Sequence, residues 1–224
     1  VWGAEILGFQ LDLRGRKLVW VDTEQSIDFY ALTQRRIHRQ GGVNTNMSNY
    51  DAYHLRSLCP KERVEIIEFF VMNEPNLGVL VIDGFVDLVD DYNNLAEVQA
   101  LLSRMMKWSY ERNILILGVL HLNKGDGKAR GHIGSELKNK VDFSINVVRE
   151  ERNYTVTNPY CRYGEFSSFE FQRDDNGDLL PEYLTGSFET MPKPINYLVS
   201  MPRTEDTWES EVVEKVGEEE DCPF

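Results

Sequence analysis

Along the chain, runs of consecutive apolar residues closed by a polar side chain alternate with stretches of helical period. Lys17-Leu-Val-Trp-Val-Asp22, preceded by Gly15, reads as a buried strand that ends in a carboxylate. Ser26 stands at a helix N-cap position with Asp28 in the first turn. Phe29, Leu32, Arg36 and Ile37 carry a helical period to about His38, and Gly41-Gly42 stops it. Residues 44–58 are polar and irregular and predict a loop. Pro60 at a first helical position, followed by Val64, Ile67, Glu68 and Val71, predicts a second helix ending near Pro75.

Leu77-Gly-Val-Leu-Val-Ile-Asp83 is the clearest strand, and its unbroken apolarity means burial on both faces, as in a parallel sheet covered by helices. Asn94 with Glu97 makes a capping box, and Leu95, Val98, Leu102, Met105 and Met106 run at helical spacing to about Arg112. The Met105, Met106 and Trp108 stripe reads as core. Ile114-Leu-Ile-Leu-Gly-Val-Leu120 is another fully apolar strand, closed by His121. A short helix over 134–141 and a further strand over 143–148 follow. This order predicts an α/β fold with a mostly parallel sheet flanked by helices. Beyond Glu150 the alternation in 154–157 and 168–172, with the turn residues Asp175-Asn-Gly-Asp178, predicts an antiparallel hairpin at the C-terminal sheet edge.

Composition narrows the functional classes. The chain has 224 residues, 42% apolar and 27% charged, enough to bury a core, and no run reaches the roughly 18 apolar residues of a membrane helix. Cys59, Cys161 and Cys222 lie far apart without paired spacing, which argues against a disulfide framework or zinc site and for a reducing cytoplasm. The net charge of -13 is unevenly spread: residues 1–150 carry 18 basic and 20 acidic side chains, residues 151–224 carry 6 and 17. Nine acids face a single Lys215 in 204–221, the pattern of a solvated tail. The opposite holds in 123–140, where Lys124, Lys128, Arg130, Lys138 and Lys140 outnumber Asp126 and Glu136. The expected division is a core over 1–185 and an acidic extension over 186–224.

Ligands of open parallel sheets bind at the carboxyl ends of the strands. Three apolar strands here end in reactive polar residues: Asp22-Thr23-Glu24, Asp83, and His121-Leu122-Asn123. A Leu-Val-Ile-Asp strand suits a carboxylate that holds magnesium through its water shell, because a hard divalent ion takes oxygen ligands. Glu24 can then polarise an attacking water, and His121 can sense a γ-phosphate, with Asn123 beside the nucleotide. Each also has a plain structural role when taken singly: a cap for Asp83, a solvated loop residue for Glu24, a satisfied histidine for His121. Asp87, Asp90 and Asp91 read as caps of the next turn. Tyr160, Tyr163 and Phe166 read as hairpin packing.

Four blocks in order, Val19-Trp-Val-Asp-Thr-Glu-Gln-Ser26, Val79-Leu-Val-Ile-Asp-Gly-Phe-Val-Asp-Leu-Val89, Val119-Leu-His-Leu-Asn-Lys-Gly-Asp-Gly127 and Ala129-Arg-Gly-His-Ile-Gly-Ser-Glu-Leu137, resemble the RecA-like P-loop ATPase core. The resemblance spans roughly residues 17–150 and is nearest the branch of RepA-like hexameric helicases and KaiC-like ATPases, in forms carried by plasmids and conjugative elements. It implies that Glu24 is the catalytic carboxylate, Asp83 the Walker B aspartate that serves magnesium, and His121 the polar residue closing the next strand. It also implies that Lys124, Lys128, Arg130 and His132 lie in the loop that contacts DNA or reaches a neighbouring subunit, with Lys128 or Arg130 as a finger. ATP and magnesium are the implied cofactors, and a homo-oligomeric ring, such as a hexamer, and single-stranded DNA the implied partners.

One block of that pattern is missing. No Gly-x-x-x-x-Gly-Lys-[Ser/Thr] occurs: Gly127-Lys128 is followed by Ala129, and Gly15-Arg16-Lys17 fits no better. Only sixteen residues, starting at Val1, precede the strand at Lys17, too few for a strand, loop and helix, so the expectation is an omitted upstream segment. Three functional readings remain: an ATPase coupled to DNA replication or mobilisation, a non-catalytic RecA-like interaction module, and a KaiC-like autokinase.

Overall fold

The structure is a computed structural model that describes residues 5–6, 9–10, 12–41, 47–121, 131–162, 164, 166–173 and 182–185. The elements are β1 (Glu5–Ile6), β2 (Phe9–Gln10), β3 (Lys17–Asp22), α1 (Ile27–Gln40), β4 (Tyr50–His54), α2 (Pro60–Asn73), β5 (Leu77–Asp83), a 3-10 turn (Phe85–Leu88), α3 (Leu95–Arg112), β6 (Leu115–Val119), α4 (Gly131–Lys140), β7 (Phe143–Glu150), β8 (Asn153–Cys161), β9 (Phe169–Gln172) and β10 (Glu182–Thr185). The α/β class and the helix-flanked parallel sheet are as expected, with strand order β4-β3-β5-β6.

Successive residues of β3 and β5 serve opposite faces, which explains their unbroken apolarity. Val19, Val21, Leu80 and Ile82 face the larger core with Ile67 and Val71 of α2, Val98, Leu102 and Trp108 of α3, and Ile133 of α4. Leu18, Val79 and Val81 face the other way, packing with Leu13, Tyr50 and half-buried Ile37 of α1. Each fully buried large side chain stabilises the fold by about 1.5–3 kcal/mol relative to exposure. In the stripe read as core, Met105 and Trp108 are buried, but Met106 is half exposed because it sits on the outer flank of α3.

The caps act in part as expected: Ser26 stands at the N-cap of α1 but makes no side-chain cap hydrogen bond. Asn94 Oδ1 accepts the Glu97 backbone N–H, although the Glu97 carboxylate reaches back to the N–H groups of Asp90 (2.6 Å) and Asp91 (3.3 Å) instead of closing on Asn94. Pro60 opens α2, with the Cys59 N–H donated to Glu62.

Two expectations need correction. The segment read as a loop contains β4, a parallel edge strand on β3. Its mixed polarity suits an edge: Asp51 pairs with Lys17 at 3.0 Å, and the Tyr53 ring stacks on Phe70 with centroids 4.2 Å apart. The strand over 143–148 does not extend the parallel sheet among the described residues. It is β7, paired antiparallel with β8 in a second sheet of order β10-β9-β8-β7, so the expected hairpin is a four-stranded antiparallel sheet. The turn at Asp175–Asp178 and the extension over 186–224 lie outside the described residues, within which no helix is long and apolar enough to cross a membrane.

Candidate functional site

Parallel register places one row of residues across the carboxyl edge of the sheet: His54 of β4, Asp22 of β3, Asp83 of β5 and Val119 of β6. The loop that follows β3 is built on Asp22, whose side chain is fully buried. Its Oδ1 accepts the backbone N–H groups of Glu24 (3.1 Å) and Gln25 (2.9 Å), which turns the chain sharply after the strand. Thr23 ties that turn to β5. Its N–H donates to the Asp83 carbonyl at 3.0 Å, and its hydroxyl lies 3.0 Å from both the Gly84 carbonyl and the Asp87 carboxylate. Arg63 of α2 holds the other side, donating to the Asp87 carbonyl at 2.7 Å.

This scaffold presents Glu24 outward. Its carboxylate is about one-third exposed and accepts a hydrogen bond from His121 Nε2 at 2.8 Å. Two residues 97 positions apart are thereby joined across the ends of β3 and β6. Asp83 lies between them, half-buried, and accepts from Gln25 Nε2 at 3.2 Å. Gln25 is itself oriented by Thr33, which donates to its Oε1 at 2.9 Å, and by His54, whose Nε2 meets its carbonyl at 2.8 Å.

Burial pushes the Asp83 carboxyl above the usual carboxylate range, and the Asp22 carboxylate, with Glu24 beyond it, adds to the rise. The Gln25 hydrogen bond and His121 pull the other way. Asp22 Oδ2 is buried without a hydrogen-bond partner. The row is therefore short of positive charge, and a divalent cation fits it. Among the described residues no three His, Cys, Asp or Glu side chains converge as a metal cage. Asp83 and water would thus hold such an ion, in keeping with magnesium's reluctance to shed its hydration shell.

Of the residues singled out from the sequence, Glu24, Asp83 and His121 come together. Asn123, Lys124, Lys128 and Arg130 lie outside the described residues, and His132 falls in the first turn of α4 without a described side chain. Sequence reasoning missed the supporting roles of Thr23, Gln25, His54 and Asp87. The five consecutive polar residues Asp22–Ser26 after an apolar strand are a usable signal for the first two. His54 was hidden in the segment read as a loop.

No family model and no curated protein sequence matches the chain. Solved structures do. The chain is similar to the crystal structure of the RadB recombinase, with a TM-score of 0.52 and 16% identity over 74% of this chain and 79% of that one. It is also similar to a second solved structure, that of an ATPase domain, with a TM-score of 0.55 and 9% identity over 78% and 76% of the two chains. With the parallel order β4-β3-β5-β6 and its flanking helices, these likenesses identify the architecture: the chain has a RecA-like fold.

Proposed function

We propose that this chain belongs to an ATPase that couples ATP hydrolysis to work on DNA, in the manner of a helicase-type motor in replication or mobilisation of a plasmid or integrated element. The observation that carries the reading is the row at the carboxyl edge, where outward-facing Glu24, held by His121, flanks half-buried Asp83. Its likeness to structures of a recombinase and of an ATPase domain supports the same chemistry.

Each residue has a distinct task. Asp83 would hold a magnesium ion through its water shell, and the ion would supply charge that neutralises phosphate. Glu24 accepts a proton from the attacking water, and the His121 N–H fixes which carboxylate oxygen is free to do so. Asp22 keeps the loop in shape. The 224 residues contain no Gly-x-x-x-x-Gly-Lys-[Ser/Thr], so these side chains account for the water and metal side of the site and not for the phosphate cradle. Lys128 or Arg130 from a neighbouring subunit supplies transition-state charge in the ring-forming version of this reading. A cytoplasmic setting and an acidic extension beginning near residue 186 complete it.

ATP hydrolysis by the protein from its complete reading frame, with and without single-stranded DNA, tests the proposal. Glu24→Gln should lower turnover by roughly 10²–10⁴-fold, the usual contribution of a positioned base, while nucleotide still binds. Absence of both hydrolysis and nucleotide binding would leave an interaction module on a RecA-like scaffold. Phosphate transferred to the protein itself would indicate an autokinase.

A further inference from the structure

Alternation along the antiparallel strands β7, β8 and β9 sorts their residues onto two faces. Register places Arg149, Tyr154 and Phe171 side by side on one face. Arg173, two residues past Phe171, returns to that face, where its guanidinium lies 5.5 Å from the centre of the Tyr154 ring. Glu150 and Glu170 fall on the opposite face, with Thr155 and the hydrogen-bonded pair Gln172 and Asn153 (2.8 Å). Among the described residues, the arginines of this region thus stand with the rings and the acids stand behind them.

The rings and guanidinium groups form one strip. Tyr154 and Phe171 stack across β8 and β9, with ring centres 4.9 Å apart and planes 9° from parallel. The Arg149 guanidinium lies 5.8 Å from the centre of the same Tyr154 ring. Both arginines are exposed and both rings are half-buried. Arg149 Nε donates to the Glu151 carbonyl at 2.9 Å, and among the described residues no carboxylate lies within ion-pair distance of either guanidinium. Ring stacking and cation–π contact by themselves stabilise a sheet. They do not account for two like charges gathered at one ring while Glu150 and Glu170 occupy the far face, because opposite charges paired across strands would stabilise the sheet more. An anion at the strip removes that conflict.

We propose that this strip binds single-stranded nucleic acid, with a base stacked on the Tyr154 and Phe171 pair and the flanking phosphates on Arg149 and Arg173. A ligand matched to the strip is both planar and anionic, and a nucleotide unit is both. Every base offers a π-face to an aromatic ring or a guanidinium plane, and a phosphate takes paired N–H groups from an arginine. The strip is an open surface across three strands, about 10 Å wide at the usual strand spacing, so it suits a continuous strand better than a lone nucleotide, which needs an enclosing pocket. Stacking leaves base identity unread, so binding tolerates sequence. A duplex keeps its bases stacked on one another and offers none. The strip lies in a different segment of the chain from Lys124–Lys140, and it does not rest on the ATPase reading.

Photocross-linking of the full chain to an oligodeoxythymidine that carries 5-iodouracil, with no nucleoside triphosphate present, tests the site. Adducts on Tyr154 or Phe171 support it, and adducts confined to other segments, or none, overturn it. Fluorescence anisotropy across a salt series separates the two kinds of contact. Tyr154→Leu should weaken binding on the order of tenfold at every salt concentration, while Tyr154→Phe keeps it. Arg149→Ala combined with Arg173→Ala should lower the salt slope by about 1.4, about 0.7 for each phosphate contact on a single strand. Lys61→Ala combined with Lys107→Ala makes the same change in net charge at exposed positions of α2 and α3 and should leave the slope as it was. An equal loss there would mean unspecific attraction and overturns the proposal. So does competition by thymidine monophosphate, or by duplex DNA, that matches the oligomer nucleotide for nucleotide. Because no ATP is present, a failed hydrolysis assay leaves this result standing, and failed cross-linking leaves the ATPase reading standing.

Discussion

Burial and the neighbouring Asp22 carboxylate hold the Asp83 carboxyl above its usual range, so the ionised form that serves a metal is the form the fold disfavours. A carboxyl raised on folding contributes stability that is complete below its unfolded pKa and lost as pH rises through the folded one. At neutral pH Asp83 therefore costs stability. Asp83→Asn removes the charge, keeps the shape, and should raise the melting temperature by about 2–4 °C, the effect of about 1 kcal/mol in a domain of this size, while ending turnover. Thermal unfolding near pH 7 and near pH 4 checks the cause. The gain should shrink at the lower pH, and a variant less stable than the parent at pH 7 would refute it. Glu24, Asp83 and His121 were legible because each stands at, or two residues beyond, the end of an apolar strand. The roles of Asp22 and Gln25 were not, because they depend on a loop folding back onto a buried carboxylate, and residue order carries no record of that.

The turn after β5 shows how an element constrains the site. Gly84 has φ +96°, and a Cβ there would overlap Thr23 Oγ1 and stand 2.7 Å from Glu24 Cγ. Gly84→Ala should therefore cost about 2 kcal/mol or more, combining left-handed strain with displacement of the Asp22–Gln25 loop, and hydrolysis should fall with stability. Gly15 is the control: its φ is +80° but nothing lies within 4 Å of the added carbon, so Gly15→Ala should show strain alone, about 1 kcal/mol, with activity kept. Urea unfolding of both variants separates the two terms, and equal losses would mean that the Thr23 contact yields easily. At this scale the interior strands β3 and β5 were legible because burial on both faces demands continuous apolarity. Strand β4 was not. An edge strand needs apolar contact on fewer sides, so Asp51 and His54 disguised it. The antiparallel pairing of β7 was equally hidden, since an apolar run says nothing about which neighbour it will meet.

Charge is a property of the whole chain, and its division bears on DNA. An acidic protein opposes nucleic acid as a general partner, so the DNA contact proposed above would come from a local patch such as Lys124–Lys140, within a first part of net charge -2 (18 basic against 20 acidic side chains over 1–150). The second part has net charge -11 (6 against 17 over 151–224) and includes nine acids in 204–221. In the DNA-binding reading, that cluster would compete with phosphate for those cations wherever it comes within a Debye length of them, about 8–10 Å at physiological salt. Deleting 204–221 should therefore tighten binding to single-stranded DNA at low salt, with the gain fading as salt screens the competition. Lys128→Ala and Arg130→Ala should each weaken binding and lower the salt slope by about 1 if they meet phosphates. Fluorescence anisotropy across a salt series reads both effects. Unchanged affinity on deletion would make the acids a solvated extension, and unchanged slopes in the single variants would leave Lys128 and Arg130 with the subunit-bridging role instead of a DNA contact.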